Sequence, residues 1–211
     1  MALRNKIGIC FLCVALIAFA NNASAAPILL SFDDIKDKTY TPVPSTYNGF
    51  TFSSGWYVDT NSYYRTVGNT YNFPSNPNAA FNFAGVQKLT LSNSVPFNFD
   101  SAYFWAFTVN NSFSANSASS LTISGYNGNN LIGSIKLSLP TRPILENIRL
   151  NGVDRLVFTR NGTPSNVLYW FMDNFQDSLT AVPEADTLWL LLTGLSGLLS
   201  ITRRPKKLGE R

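Results

Sequence analysis

Hydrophobic and polar residues alternate in short runs along most of the chain, and clusters of turn-forming residues separate the runs. Phe97-Asn98-Phe99 alternates, and Tyr103, Trp105 and Phe107 are spaced by two with smaller residues between them. A side-chain period of two is that of a β-strand, whereas long helical periodicity is absent. The other strand candidates are 28–32, 49–52, 56–59, 79–83, 88–91, 155–159 and 168–176.

One pair of strands is joined by a strong turn signal. The runs 121–123 and 135–139 flank Gly125-Tyr126-Asn127-Gly128, and an Asn-Gly dipeptide between alternating hydrophobic residues is typical of a β-hairpin. About ten short strands separated by turns predict an all-β fold, a single β-sandwich of jelly-roll type whose first and last strands pair. The segments 40–54, 61–78 and 110–120 are rich in Asn, Ser and Tyr, and we predict long loops there.

The N-terminus has the pattern of a secretory signal peptide. Arg4 and Lys6 precede an uncharged run, 7–20, and then Ala23-Ser24-Ala25. A basic start, an apolar stretch and an A-x-A site predict cleavage after Ala25, with an uncleaved anchor as the alternative. Both cysteines lie inside this segment, so the domain predicted over 26–180 has no thiol and no disulfide.

The C-terminal tail, 181–211, differs abruptly in composition. Val182-Pro183-Glu184-Ala185 is followed by an uncharged, leucine-rich run, 187–201, and a basic end, 203–211. The run predicts a membrane helix of about 22 Å at ~1.5 Å per residue, which is short for a hydrocarbon core of ~30 Å. The basic cluster beyond it predicts that the end stays in the cytoplasm, with the domain outside the inner membrane.

This tripartite tail resembles a PEP-CTERM sorting signal, in which the motif is typically Val-Pro-Glu-Pro. Val182, Pro183 and Glu184 match that motif, and Ala185 stands where its last proline is expected. The resemblance implies that an exosortase-like membrane protease is a partner and cuts near the motif. The protein would then be held briefly at the membrane and reach the cell surface or the exterior. A plain stop-transfer anchor without processing is the alternative.

Charge and composition exclude several kinds of chemistry. The formal net charge of +4 comes from the two ends, because residues 26–182 carry nine basic and nine acidic residues. A nucleic-acid partner is therefore not expected, since such proteins carry clustered basic charge. The chain has no histidine, which removes Ser-His-Asp and Cys-His catalysis and ordinary zinc sites. We expect no enzyme, although a carboxylate pair would still permit a glycoside hydrolase or lyase.

The predicted domain also resembles carbohydrate-binding jelly rolls and other exported PEP-CTERM proteins. The resemblance rests on short motifs that follow one another in a familiar order: Ser31-Phe32-Asp33-Asp34, Gly49-Phe50, Ser101-Ala102-Tyr103, the segment 121–126 and Trp170-Phe171-Met172-Asp173-Asn174-Phe175. It implies a structural calcium where the first and last strands meet, with Asp33, Asp34 and Asp173 as ligands. Calcium binds carboxylate, carbonyl and amide oxygens. The alternative is that these acids are exposed strand-end residues that balance nearby lysines.

Aromatic residues in and beside the predicted loops are candidates for sugar binding, because the C–H groups of a pyranose pack on exposed aromatic faces. They are Trp56, Tyr57, Tyr63, Tyr64 and Tyr71. The alternative is that the aromatic residues fill the core of a cysteine-free sandwich, as we expect for Trp105, Phe107, Trp170 and Phe171.

Two functions from different classes remain open on the sequence. The first is a non-enzymatic, exported surface or matrix protein associated with exopolysaccharide or biofilm. The second is a calcium-stabilised carbohydrate-binding module acting as a lectin-like adhesin, with a polysaccharide as its partner.

Overall fold

A computed structural model of the chain describes residues 27–36 and 39–179. They belong to one unit, Ala25–Thr180. Its strands are β1 (Ile28–Leu30), β2 (Thr41–Pro42), β3 (Thr46–Tyr47), β4 (Phe50–Phe52), β5 (Trp56–Thr60), β6 (Asn78–Asn82), β7 (Lys88–Ala106), β8 (Thr108–Val109), β9 (Ser112–Phe113), β10 (Ser120–Asn127), β11 (Asn130–Ser138), β12 (Ile144–Arg160) and β13 (Trp170–Leu179). The helices are α1 (Asn61–Thr66) and a 3₁₀ turn at Phe83–Gly85.

Eleven strands form one hydrogen-bonded network in the order β11-β10-β12-β7-β13-β6-β5-β2, with β1 on β13 and with β4 joining β7 to β3. The pairs are antiparallel. The two longest strands, β7 and β12, run through both layers of the fold: their pairing changes register at residues 147–155, between two regular stretches. Such β-bulges bend a strand pair. One layer contains β10, β11, β4 and the stretch of the β7–β12 pair at residues 88–92 and 155–159. The other layer contains the rest of β7 and β12 together with β13, β6, β5, β2 and β1.

The main core lies between these layers, and the arrangement is the predicted all-β sandwich with jelly-roll-like topology. Aromatic rings meet across the interior: the Phe158 ring of β12 stacks on Trp170 of β13 at 5.6 Å and meets Trp56 of β5 edge-on at 5.3 Å. Trp56, Phe158 and Trp170 are at most 1% exposed. Because large buried rings contribute both area and specific ring contacts, they hold the sandwich together without disulfides.

The predicted pairing of the first and last strands is confirmed. β1 pairs antiparallel with β13, with Ile28 opposite Asp177 and Leu30 opposite Phe175. The predicted hairpin is also confirmed, since β10 and β11 pair from Ser120 opposite Ser138 to Asn127 opposite Asn130. Gly128 begins the two-residue turn with a φ of +58°, a conformation that glycine adopts without a steric penalty.

All three predicted loops contain some regular structure. Segment 40–54 holds three short strands, and segment 61–78 begins with α1. The Thr60 side chain accepts a hydrogen bond from the backbone N–H of Tyr63 and caps this helix, which is the usual role of threonine at a helix start. The third segment, 110–120, contains only β9 and the first residue of β10.

Among the residues that the structure describes, no helix is long and apolar enough to cross a membrane. The predicted signal peptide with Ala23 and Ala25 lies outside the described residues. So do the sorting motif Val182, Pro183, Glu184 and Ala185, the predicted helix 187–201 and the basic end.

Candidate functional site

The layer that contains β5, β6, β7 and β13 is covered with aromatic residues on both faces. On β13, Trp170 and Met172 belong to the main core, whereas Phe171 between them belongs to a second hydrophobic cluster. On β7, Phe104 faces the main core and Trp105 the second cluster. Because successive side chains of a strand point to opposite faces, the second cluster lies on the outer face of this layer.

Adjacent strands align their aromatic side chains in a row across this outer face. Tyr57 of β5 is opposite Phe81 of β6, Phe81 is opposite Phe171 of β13, and Phe171 is opposite Trp105 of β7. The Phe171 ring stacks on Trp105 at 5.2 Å and on Phe81 at 5.5 Å. Directly opposed side chains are the contacts that stabilise neighbouring strands, so the row forms a rigid floor.

A pocket of about 350 Å³ opens on this floor. Phe81 and Phe171 form its base, and the walls come from α1, the 3₁₀ turn, the residue after β7 and the residues just before β2 and β13. The wall residues are Tyr40, Tyr63, Phe83, Phe107 and Tyr169, and the two further polar residues are Asp59 and Asn116. We call this the aromatic pocket.

Asp59 is the acidic group of the aromatic pocket. It is only 2% exposed, and the backbone N–H of Thr60 donates to its Oδ1 at 2.9 Å. Burial raises the pKa of this carboxyl to about 7, against the smaller opposing effect of the Thr60 hydrogen bond. Desolvation disfavours the charged form of a carboxyl, so Asp59 changes its charge near neutral pH.

The remaining polar groups of the pocket are phenols and one amide. Tyr40 is 45% exposed, and its hydroxyl donates to the Tyr63 hydroxyl at 2.9 Å. Burial, the largest effect on both groups, raises the pKa of the Tyr40 and Tyr169 phenols above the ordinary value. The backbone N–H of Tyr169 donates to the backbone carbonyl oxygen of Asn116 at 2.7 Å, which holds Asn116 beside the wall residue Tyr169.

Two of the predicted sugar-binding aromatics are buried, and the expectation that their rings are exposed is wrong. Trp56 is 1% exposed in the main core, and its Nε1 donates to the Thr90 carbonyl oxygen. Tyr64 is fully buried, and its hydroxyl lies 2.8 Å from those of Tyr71 and Thr108. Trp56 lies on the face of β5 that packs in the main core, and Tyr64 belongs to α1 and to the second hydrophobic cluster.

The other three predicted aromatics are half-buried. Tyr63 lines the aromatic pocket. Tyr57 stacks on Phe83 with 4.2 Å between ring centroids and so supports a wall from behind. The Tyr71 hydroxyl is 2.7 Å from that of Thr108 and helps attach the segment after α1 to β8. The structure therefore brings one of the five residues into the pocket.

The three predicted calcium ligands accept hydrogen bonds from other groups of the protein. Asp173 accepts hydrogen bonds from the Ser75 backbone and hydroxyl, both at 2.8 Å, and burial is the main cause that raises its pKa to about 7. Asp33 accepts from the Asn78 backbone N–H at 3.0 Å, and Asp34 accepts from the Tyr47 hydroxyl. No group of three or more His, Cys, Asp or Glu side chains within the described ranges could hold a metal ion. The calcium site stays a prediction.

Most of the aromatic pocket was missed from the sequence, although a signal for it exists. The segments 81–83, 103–107 and 169–171 carry aromatic residues at alternate positions, and hydrophobic residues of the main core occupy positions between them in the last two. Aromatic residues at both parities of neighbouring strands indicate a layer buried on both faces. On β5, Asp59 follows Tyr57 by two residues, so an acid stands where an aromatic residue would continue the alternation.

No protein-family model matches the chain, and no curated protein matches it. Among solved structures it is similar to the K2 cleaved adhesin domain of Lys-gingipain, with 12% identity over 73% of this chain and 100% of that chain, at a TM-score of 0.47. It is also similar to the carbohydrate-binding module CBM29_1 of Piromyces equi, with 10% identity over 74% and 93% of the two chains and a TM-score of 0.39. The CBM22-1 xylan-binding domain of Paenibacillus barcinonensis Xyn10C gives 15% identity over 76% and 99%, with a TM-score of 0.34. Likeness at this level carries no information on the ligand.

Proposed function

We propose that the domain is a non-catalytic carbohydrate-binding module of an exported surface protein, and that the aromatic pocket is its binding site. The observation that carries the proposal is the pocket itself: aromatic walls around a small number of polar groups. Such a composition is typical of ligand sites, in which apolar surface provides contact area and a few polar groups orient the ligand.

The dimensions of the pocket favour a single sugar ring. Ligand pockets range from about 300 to 1,000 Å³, and at about 350 Å³ this one has room for one pyranose at a chain end or branch. The C–H face of the ring would pack on Phe81 or Phe83. Asp59 and the hydroxyls of Tyr40 and Tyr63 would exchange hydrogen bonds with the sugar hydroxyl groups.

The wall residues suit this role because they are rigid. Tyr40 contacts three rings, those of Tyr63, Phe81 and Phe83, at centroid distances from 5.4 to 5.9 Å. Tyrosine presents a large amphipathic surface with few rotatable bonds, so little conformational entropy is lost on binding. A sugar would therefore meet a site that is already formed.

The sorting route from the sequence completes the proposal: secretion, retention by the C-terminal helix, and cleavage near residues 182–185 by an exosortase-like protease. Its support is the residue pattern of the two ends. A surface protein that binds polysaccharide fits both hypotheses from the sequence, since a matrix role would follow from the binding.

A glycan array probed with the full-length chain, with and without calcium, tests the proposed function. We expect binding to a restricted set of glycans that is reduced by Tyr40→Ala. Tyr126→Ala is the control, because this half-buried tyrosine of β10 lies under the Arg155 guanidinium outside the aromatic pocket. Absence of binding to every glycan, including the polysaccharide of the native cell, would contradict the proposal and favour a purely structural role.

A further inference from the structure

The aromatic pocket has an uneven charge distribution. Of the nine described residues that line it, seven are Phe or Tyr, one is an amide and one is a carboxylic acid, Asp59. No lysine or arginine among the described residues lines it, and the chain contains no histidine. An acid can accept hydrogen bonds from the hydroxyl groups of a neutral sugar, but Asp59 also brings a negative charge, which bears on the charge of the ligand.

The aromatic rings are arranged as walls at different angles. The Tyr40 ring is inclined at 54° to Phe81, at 57° to Phe83 and at 66° to Tyr63, and the Tyr169 ring is inclined at 56° to Phe81. The face of an aromatic ring carries partial negative charge and attracts a cation. Several rings around one space are the known arrangement for binding substituted ammonium groups.

Asp59 adds a full negative charge to the same space. Its Oδ1 accepts from Thr60, and no other hydrogen bond to this carboxyl occurs among the described residues. Burial raises the pKa of Asp59 to about 7, because holding the carboxylate ionised in a desolvated place costs free energy. A cation in the pocket would offset this cost, because an opposite charge within about 4–6 Å favours the ionised carboxyl.

We propose that the aromatic pocket selects a sugar that carries a free, protonated amine, with Asp59 as the anionic partner and the surrounding rings as a cation-binding wall. The ligand class is an amino sugar whose nitrogen is not acetylated. This inference rests on the proposed function, because it names the sugar class for the same site.

The other titratable groups described around Asp59 are three phenols and one exposed arginine. Tyr40 faces the pocket from the segment before β2, Tyr63 from α1 and Tyr169 from the segment before β13. Burial is the main cause that raises the pKa of the Tyr40 and Tyr169 phenols above the ordinary value. Arg65, the charged residue of α1, is exposed and donates to the Asn72 side chain. Among the described residues that line the pocket, Asp59 is therefore the group whose ionisation controls the charge.

Three trisaccharides that differ only at C2 test the selection. The β-1,4-linked trimers of glucose, N-acetylglucosamine and glucosamine carry a hydroxyl, an acetamide and an amine there. We expect calorimetric titration of the full-length chain at pH 7 to give the glucosamine trimer at least ten-fold higher affinity than the other two. With Asp59→Asn, the three affinities should lie within about three-fold. Asp154→Asn, which removes an acid outside the pocket, should keep the ten-fold preference.

Tetramethylammonium, whose charge does not depend on pH, separates the carboxyl from the ligand amine. Its affinity should rise several-fold from pH 6 to pH 8 because Asp59 ionises, and Asp59→Asn should remove the rise. If the glucose or N-acetylglucosamine trimer binds as tightly as the glucosamine trimer, amine selection is wrong and sugar binding stands. If tetramethylammonium binds and no sugar does, the sugar assignment is wrong. If no ligand binds, both proposals fail.

Discussion

Replacing Asp59 by asparagine should stabilise the protein at pH 8 and have little effect at pH 4. Asparagine has nearly the same shape, and its amide oxygen can still accept the Thr60 hydrogen bond. At pH 8 the native wild-type protein must hold an ionised carboxylate that is 2% exposed, whereas the amide is neutral at every pH. Burying a charge without a partner costs far more than burying a hydrogen-bonded amide.

The size of the effect follows from the pKa. Burial raises the pKa of Asp59 from 3.8 to about 7, and one pKa unit corresponds to 1.36 kcal/mol, so the ionised carboxylate costs up to about 4 kcal/mol. Burying the polar amide of the variant offsets part of this free energy, and we expect a net gain of about 2 kcal/mol in the free energy of unfolding. For a domain of about 150 residues or more, that raises the melting temperature by roughly 4–8 °C.

The sign of the pH dependence is fixed by which state binds more protons. The native pKa of Asp59 is higher than the unfolded one, so between about pH 4 and pH 7 the native state binds the proton more tightly. The contribution of Asp59 to stability is therefore fully present below about pH 4 and is lost as the pH rises through about 7. The advantage of the Asp59→Asn variant should grow over the same interval.

Thermal unfolding of the full-length chain, followed by tryptophan fluorescence at pH 4 and pH 8, measures this difference. Asp154→Asn corrects for the general effect of removing one acid from the chain. A variant that gains equally at both pH values, or that is less stable than the wild-type protein at pH 8, would refute the burial argument for Asp59.

Gly85→Ala should destabilise the protein by about 2 kcal/mol more than Gly152→Ala. Both glycines have positive φ, but only at residue 85 would the new Cβ lie 2.7 Å from backbone atoms of residues 167–168. Equal losses of stability in urea unfolding would contradict this. Tyr64→Phe should lower the free energy of unfolding by about 1–3 kcal/mol because the buried Thr108 N–H and hydroxyl both lose a partner. An unchanged urea unfolding curve would show that these hydrogen bonds do not stabilise the protein. If the predicted calcium site exists, a chelator should lower the melting temperature, and an unchanged value would dispose of it. Mass spectrometry of the protein from its native cell surface should find a form without residues 188–211, and an intact C-terminus would exclude the proposed cleavage.

The sequence predicts the fold class well because strand pairing here follows local patterns. Alternation located the strands near Phe99 and Trp170, and the Asn-Gly pair located the β10–β11 hairpin. The lengths of β7 and β12 were underestimated, because the bulges around residues 147–155 interrupt the alternation although the pairing continues beyond them. Helix α1 was missed because its Asn- and Tyr-rich sequence has low helix propensity, and its Thr60 cap and the buried Tyr64 hold it in place.

The candidate site was harder to predict because it is assembled from distant parts of the chain. Tyr40, Asp59, Asn116 and Tyr169 meet in space only through the order of β5, β6 and β13. The choice of Trp56 and Tyr64 as exposed residues failed for a related reason. A residue's position beside a predicted loop does not show whether a second face of its layer is also covered. That depends on which strands and helices become neighbours in the fold.

Carbohydrate binding in the aromatic pocket is tested by a calorimetric titration of the full-length chain with the glycan that binds best on an array. Three forms should be compared: the wild-type protein, Tyr40→Ala and the control Tyr126→Ala. We predict that Tyr40→Ala weakens binding at least ten-fold and that Tyr126→Ala binds like the wild-type protein. Equal affinity of the wild-type protein and Tyr40→Ala, with Tyr126→Ala weakened instead, would place the binding elsewhere and contradict the claim.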